Sequence, residues 1–593
     1  MNRQKCDILY QITKETFATQ RELAEASGHS LGVVNREVRE LTEMGYLDQR
    51  MRLTKLAEDY LADKRPKNAV ILAAGFGMRM VPINIETPKG LLEVKGEILI
   101  ERMIRHLHEA GIWEIYIVVG FMKEQYEYLI DKYKVNLVVN SEYTVKNNLF
   151  SLKKVLQYLS KTYIIPCDIW CGYNPFNQYE LYSWYMVSEE KSRESKIRVN
   201  KKMELVFTDK TTSGNKMVGI AYLDEEKASA IAKQIQKLSE DSINDNAFWE
   251  EALFSKHDMS IQARVAKVDQ VVEINTYEQL REIDSNSNNL KTDAIMVIAD
   301  NLGVQISDIR EIQVLKKGMT NRSFLFECLG KKYIMRIPGE GTDKLINRSC
   351  EAAVYHTIDG EGIGDDNIYI NPHNGYKITR YIEKSRVCDP MNENDVAKCM
   401  EKLRIFHQKE FRVAHEFRLW EQIDFYESLW KGSKSVYRDY TEVKNKVLSL
   451  KKYIDAHAEK KVLAHIDAVP DNFLFSRDED GQERIYLIDW EYAGMQDPHI
   501  DIAMFGIYSC YDREQMDKLI QAYFLNACPN NVRIKIYCYI AACGLLWSNW
   551  CEYKRKLGVD FGEYSLRQYR YAKEYYRIVC DELGGERNKW GIQ

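Results

Sequence analysis

The spacing of apolar positions changes several times along the chain, and each change marks an element or a boundary. Near the N-terminus, "QRELAEASG" reads as a short amphipathic helix ended by Gly28. "SLGVVNREVRELTEMGYL" follows, with Ser30 as N-cap and Val33, Val34, Val38 and Leu41 spaced as one buried face. Gly45 closes that helix, and "YLDQRMRLT" predicts a small two-stranded wing. From Ala69 onward the pattern shifts. "AVILAAG", "WEIYIVVGF" and "VNLVVNSEY" are strand-like runs alternating with helical stretches such as "LIERMIRHLHEAGI". The alternation predicts a parallel sheet covered on both faces, with ligands at the carboxyl ends of the strands, where Gly75 and Gly77 fall.

Two stretches interrupt these patterns. "ADKRPKNAV", from Ala62 to Val70, is charged and carries a proline; "DSNSNNLKTDA", from Asp284 to Ala294, has no apolar period. They predict a head over 1–66, a middle domain over 67–284 and a last domain over 285–593. Composition adds exclusions. With 593 residues, 45% hydrophobic and net charge -5, the chain gives no whole-molecule reason to bind nucleic acid or a membrane. The 13 cysteines are odd in number and unpaired in spacing, which fits a reducing cytoplasm and neither a disulfide framework nor a zinc site. No run approaches the ~20 apolar residues of a membrane span, and a cytoplasmic soluble protein is expected.

In the middle domain, glycines after the first strand let backbone amides approach a polyphosphate, while Arg79 and Lys89 neutralise its charge. The longer string "LAAGFGMRM...TPKGLLEV" resembles the signature of the sugar-phosphate and choline-phosphate nucleotidyltransferases, and "VNSEYTVKNNLFSL" and "YIIPCDIW" look like the bacterial CTP:phosphocholine cytidylyltransferases. The resemblance implies a Rossmann-like fold in which Leu72, Ala73, Ala74, Gly75, Gly77, Arg79, Lys89 and Asn148 meet the nucleotide, with Ser151 and Glu273 toward the acceptor. Lys89 and Arg79 would act on the reacting phosphates, and Asp168 would bind Mg²⁺. One acid leaves a hard cation poorly neutralised, so a second ligand is expected: Glu250 by position, Asn275 otherwise. The family's aromatic residue near choline has no counterpart in "SEEKSRESKIRV"; Trp170, Trp184 and Trp249 are the substitutes, each also readable as core.

The last domain carries "AHIDAVPDNFLFSRDEDGQERIYLIDWEYAGMQDP". Phosphoryl transfer to a hydroxyl needs an acid to accept the proton and ligands for the metal on the ATP phosphates. Asp467 fits the first role; Asn472 and Asp489 fit the second. The whole domain resembles the choline/ethanolamine kinase branch of the aminoglycoside-phosphotransferase-like fold. That resemblance implies a protein-kinase-like architecture, with Thr320 and Asn321 in the nucleotide-covering turn, Arg336 on the strand behind it and Glu351 as its helical partner. Glu491 and Asp501 are further acids, and His465 reads as a loop-orienting residue. A quaternary ammonium has no N–H to donate and is held by ring faces and carboxylates. Trp547 and Trp550, three apart on a helix, with Tyr564 or Tyr569 and Glu491, match that need; a plain buried stripe is the other reading.

The head resembles the winged helix-turn-helix of MarR-like regulators. The resemblance implies DNA contacts through Ser30, Asn35, Arg36 and Arg39, or a fused module kept for dimerisation or positioning. Acidic and basic residues there number about a dozen each, without the basic excess of a DNA reader. The expectation is therefore a multidomain α/β and α+β protein. It would phosphorylate choline with ATP and join the phosphocholine to CMP from CTP, with Mg²⁺ at both sites and pyrophosphate released. Ethanolamine or another amino-alcohol stays open as substrate, and homodimerisation stays open. The rivals are a DNA-binding regulator that senses choline and nucleotides, and an aminoglycoside phosphotransferase.

Overall fold

The computed structural model describes residues 1–592 apart from 208–212, 254–260, 316–320, 340–341, 343–344 and 478–480. It divides into two compact units, Met1–Met296 and Val297–Gln593. The division falls inside the helix Asp293–Leu302, some way past the linker-like stretch that begins at Asp284.

The head opens the first unit with α1 (Arg3–Lys14), α2 (Gln20–Ser27) and α3 (Leu31–Glu43). Asn2, Thr19 and Ser30 cap them, each side chain accepting an otherwise orphaned backbone N–H. Val34, Val38 and Leu41 are buried against Ile8, Leu9 and Leu23, whereas Val33 is only half-buried. The expected wing is reduced to one antiparallel bridge, Leu47 to Leu53. A fourth helix, α4 (Lys55–Asp63), follows it with Thr54 as cap, over a stretch whose charges hid its apolar period. The head is fastened to the domain behind it. Tyr10 and Asp7 of α1 bond Asn177 and Tyr182, Lys161 bonds Asp63 at 2.8 Å, and Tyr179 and Leu181 complete the head's core.

The rest of the unit is built on seven strands: β1 (Asn68–Ala73), β2 (Glu114–Val119), β3 (Asn136–Val139), β4 (Thr162–Pro166), β5 (Trp184–Ser192), β6 (Gly214–Leu223) and β7 (Gln262–Ala266). Their order is β7-β5-β6-β4-β1-β2-β3. The half from β4 to β3 is parallel, as the alternating pattern predicts, but β6 is inserted antiparallel between β4 and β5, so the sheet is mixed. Successive residues of β1 feed opposite cores. Ala69, Ile71 and Ala73 pack on one face, and Val70, Leu72 and Ala74 on the other. Burial on both faces explains why this strand is an unbroken apolar run.

The second unit begins with an antiparallel sheet, β8 (Ile309–Val314), β9 (Asn321–Cys328), β10 (Lys331–Pro338), β11 (Asn367–Ile370) and β12 (Lys377–Arg380), ordered β8-β9-β10-β12-β11. The helix α5 (Arg348–Ile358) follows β10. Beyond lies a helical body around α6 (Asn530–Lys556), apolar on nearly every side, paired with α7 (Glu563–Leu583). Gly544 lets this pair close. A Cβ there would lie 2.7 Å from the Gln568 carbonyl oxygen and 2.8 Å from the Tyr571 Cβ. None of the described helices is long and apolar enough to cross a membrane. Replacing Gly544 with Ala is expected to overpack this contact and cost about 2 kcal/mol, measured as a lower urea midpoint for the transition reported by the second unit's tryptophans.

Candidate active sites

At the carboxyl ends of β1 and β4 the first unit holds a cleft of about 550 Å³. Leu72, Ala73, Ala74, Gly75, Gly77, Arg79, Lys89, Asn148, Ser151 and Asp168 all line it. Gly77 has φ 60°, and a Cβ there would meet the Lys89 Cγ at 2.9 Å, so glycine is required for the lysine stem to pass. Lys89 Nζ donates to Asp168 Oδ2 at 2.9 Å and to Asn275 Oδ1 at 2.7 Å, and Arg79 Nη2 donates to the same oxygen at 2.9 Å. Asn275 thus gathers both cations, a role the sequence pattern does not disclose. Asn148 spends its Oδ1 on the Trp249 backbone N–H, and Ser151 Oγ accepts from the fully buried Asn140. Phe76 and Tyr143, also unanticipated, lie in the same cleft with ring centroids 5.1 Å apart.

Glu250 and Glu273 are not among the cleft-lining residues. Glu250 is the expected ligand that the structure does not bring to Asp168. Its short helical turn, Trp249–Ala252, packs into the core; Oε1 accepts from the Tyr185 hydroxyl and, among the described residues, Oε2 has no hydrogen-bond partner. Burial pushes this carboxyl up to about 7. Asn275, the other expected choice, is the residue found beside Asp168. Trp184 and Trp249 are core residues, and Arg264 lies 3.7 Å over the Trp184 ring. Lys95 and Arg102 flank Trp170 at 4.2 and 5.5 Å.

The second unit has a cavity of about 540 Å³, lined by Asn321, Arg336, Asp467, Asn472, Asp489, Glu491, Trp547, Trp550 and Tyr564 among others. Asn472 and Asp489 flank the hairpin Phe473–Arg477 and Glu483–Leu487, which sets them side by side. Asn472 Nδ2 donates to the Asp467 backbone oxygen at 2.8 Å and to its Oδ2 at 3.2 Å. Asp489 holds φ 67°, in the left-handed region that aspartate enters more readily than most non-glycine residues. Asp501 is structural. It is wholly buried and accepts the backbone N–H groups of His465 and Ile466 at 2.8 and 2.7 Å, with His407 at 3.0 Å. His465 donates to the Ile488 carbonyl, and burial lowers its pKa, which fits an orienting role.

Arg336 is held by the Glu351 carboxylate through both terminal nitrogens and also reaches the Gly375 oxygen. Arg348, not anticipated, joins Glu351 at 3.0 Å to Glu491 at 3.4 Å. Asn321 Nδ2 also donates to Glu491, at 3.1 Å. Thr320 lies outside the described residues. Burial, then Asp489 and Glu491, push Asp467 up to about 8, and burial and Asp489 raise Glu491. The Trp547 and Trp550 rings meet edge-on at 5.5 Å, joined by Tyr492 at 6.0 Å and Phe561 at 5.1 Å. Tyr564 belongs to this cavity. Tyr569 does not: it stacks on Tyr437 and donates to Asp439.

Among the described residues no three His, Cys, Asp or Glu side chains form a closed metal cage. Magnesium on nucleotide phosphates takes one or two protein carboxylates and completes its sphere from substrate and water. Asp168 beside Asn275 in one unit, and Asn472 with Asp489 in the other, fit an ion of that kind.

Three family models match in chain order: winged helix-turn-helix DNA-binding over 1–48, MobA-like NTP transferase domain over 69–171 and choline/ethanolamine kinase over 312–542. The choline-phosphate cytidylyltransferase of Streptococcus pneumoniae is 32% identical over 232 residues, 38% of this chain and 97% of that protein. Protein LicA of Haemophilus influenzae is 27% identical, over 42% of this chain and 96% of its own length. The 2-aminoethylphosphonate cytidylyltransferase of Lancefieldella rimae is 30% identical, over 36% of this chain and 92% of that protein.

Asp467 binds its proton more tightly in the folded chain than in the unfolded one, so its share of stability is present at low pH and lost as pH rises through about 8. Asp467→Asn is therefore expected to raise the melting temperature of the ligand-free protein at pH 9, with a much smaller rise at pH 5. It should also lower phosphotransfer by about 10²–10⁴-fold, read by calorimetry and a coupled ADP assay.

Proposed function

Because this chain belongs to the choline-phosphate cytidylyltransferase family through its middle segment and carries a choline/ethanolamine-kinase domain behind it, we propose that it makes CDP-choline from choline in two steps. The observation that carries the reading is one cavity holding Asp467, Asn472 and Asp489 together with the Trp547–Trp550 pair. In the kinase step Asp467 accepts the hydroxyl proton as the substrate oxygen attacks the γ-phosphorus of ATP, and ADP leaves. The aromatic faces hold the ammonium. In the second step a phosphate oxygen of phosphocholine attacks the α-phosphorus of CTP, and pyrophosphate leaves. Lys89 and Arg79 bind the phosphates, and the turn at Gly75 and Gly77 offers its amides. Asp168 and Asn275 in one site, and Asn472 and Asp489 in the other, would hold Mg²⁺, which would supply positive charge against the phosphates.

A primary amino-alcohol is the second reading. It is favoured by the first unit, where the faces of Trp170 and Trp184 are already taken by cationic side chains. For the head we propose a fixed part of the first unit rather than a reader of sequence. Arg36 is bound by Glu37 and Gln4, and Arg39 faces Glu43 at 3.8 Å, which leaves little free positive charge for phosphates. We place the enzyme in the cytoplasm, where ATP and CTP are made.

Two variants test the two-site reading. Asp467→Ala should abolish ADP formation and leave CMP transfer from supplied phosphocholine within about twofold. Asp168→Ala should do the reverse, both followed by phosphorus NMR with choline and ethanolamine as alternative substrates. Loss of both reactions in either folded variant would refute two separate sites. The head reading predicts no salt-sensitive binding of mixed-sequence duplex DNA by fluorescence anisotropy.

A further inference from the structure

On α6, one turn beyond Trp550, lies Lys554, whose ammonium sits 5.3 Å from the centroid of the Trp550 ring. The lysine is half-buried, and among the described residues no carboxylate pairs with it and no hydrogen bond holds its Nζ. Burial lowers its pKa, and the carboxylate acting on it is Glu491, a wall residue of the same cavity as Trp550. The neighbouring lysine, Lys556, is by contrast held, donating to the Trp430 carbonyl at 3.2 Å. Trp550 is thus a ring with a cation on it before any substrate arrives.

We infer that Lys554 sets the affinity of the aromatic pocket for cationic substrates by occupying the Trp550 π system in competition with them. This rests on the reading that the pocket takes the ammonium end of an amino-alcohol. The attraction of a ring for a cation comes from its quadrupole, and a second positive charge close by both repels the newcomer and polarises the ring against it. Whichever face of Trp550 the lysine uses, the two charges oppose each other across one ring or on it. Glu491, which lines the cavity, partly offsets this opposition through its charge. A substrate ammonium that displaces or shares this place is bound more weakly than the rings alone would bind it.

The test separates charge from packing. Choline and its uncharged isostere 3,3-dimethylbutan-1-ol are compared as phosphate acceptors in the full-length wild type, Lys554→Met and Lys554→Arg. The inference expects Lys554→Met to lower the choline KM by roughly threefold to tenfold, with the KM values of the isostere and ATP unchanged. Lys554→Arg, which keeps the charge, should stay near wild type. A choline KM in Lys554→Met that is unchanged or higher, or one that moves together with that of the isostere, overturns the inference and leaves the kinase assignment standing. Failure of the wild type to phosphorylate any amino-alcohol would remove the assignment itself and this inference with it.

Discussion

Charge withdrawn from water and only partly balanced by the chain itself is the constraint on which both cavities are built. In the second unit Asp467, Asp489 and Glu491 share one enclosure, while Arg336 is committed to Glu351 and Arg348 bridges Glu351 and Glu491. The surplus is negative, and burial raises Asp467 because an ionised carboxylate there lacks a counter-charge. The first unit has the opposite balance. Lys89 and Arg79 converge on one amide oxygen, and among the described residues Asp168 is the acid that Lys89 contacts. A nucleotide with a divalent ion would resolve each imbalance from a different side: the metal would answer the acids, the phosphates the cations.

Holding such groups in place costs stability, and the surrounding fold supplies it. Asp501 accepts two backbone N–H groups of the loop leading to Asp467, and the hairpin behind Asn472 fixes its distance from Asp489. In the first unit the opposed faces of β1 bury two cores, so the turn at its end is presented by a rigid strand. The head adds to this scaffold through α1 and the segment around Asn177–Tyr182.

What the sequence disclosed follows from how local each signal is. Asp467, Asn472 and Asp489 lie within one stretch whose apolar strand brackets them, and the cavity contains all three. Gly75, Gly77, Arg79 and Lys89 are legible for the same reason. Asn275 was legible only as the alternative metal ligand; its hold on Arg79 and Lys89, like the role of Arg348, arises from contacts across long sequence distances. Glu250 was chosen by position alone, and the adjacent Trp249 draws its turn into the core. The mixed sheet was missed because an antiparallel central strand buried on both faces reads like a parallel one. The helix α4 was hidden by its charged surface and the wing expected before it.

The measurement that bears most directly on this account gives the purified chain carbon-labelled choline, ATP, CTP and Mg²⁺ together, with phosphocholine withheld. Two working sites in series predict label passing through phosphocholine into CDP-choline, with one ADP and one pyrophosphate formed per product. Label that stops at phosphocholine, or never leaves choline while both nucleotides remain intact, would contradict it.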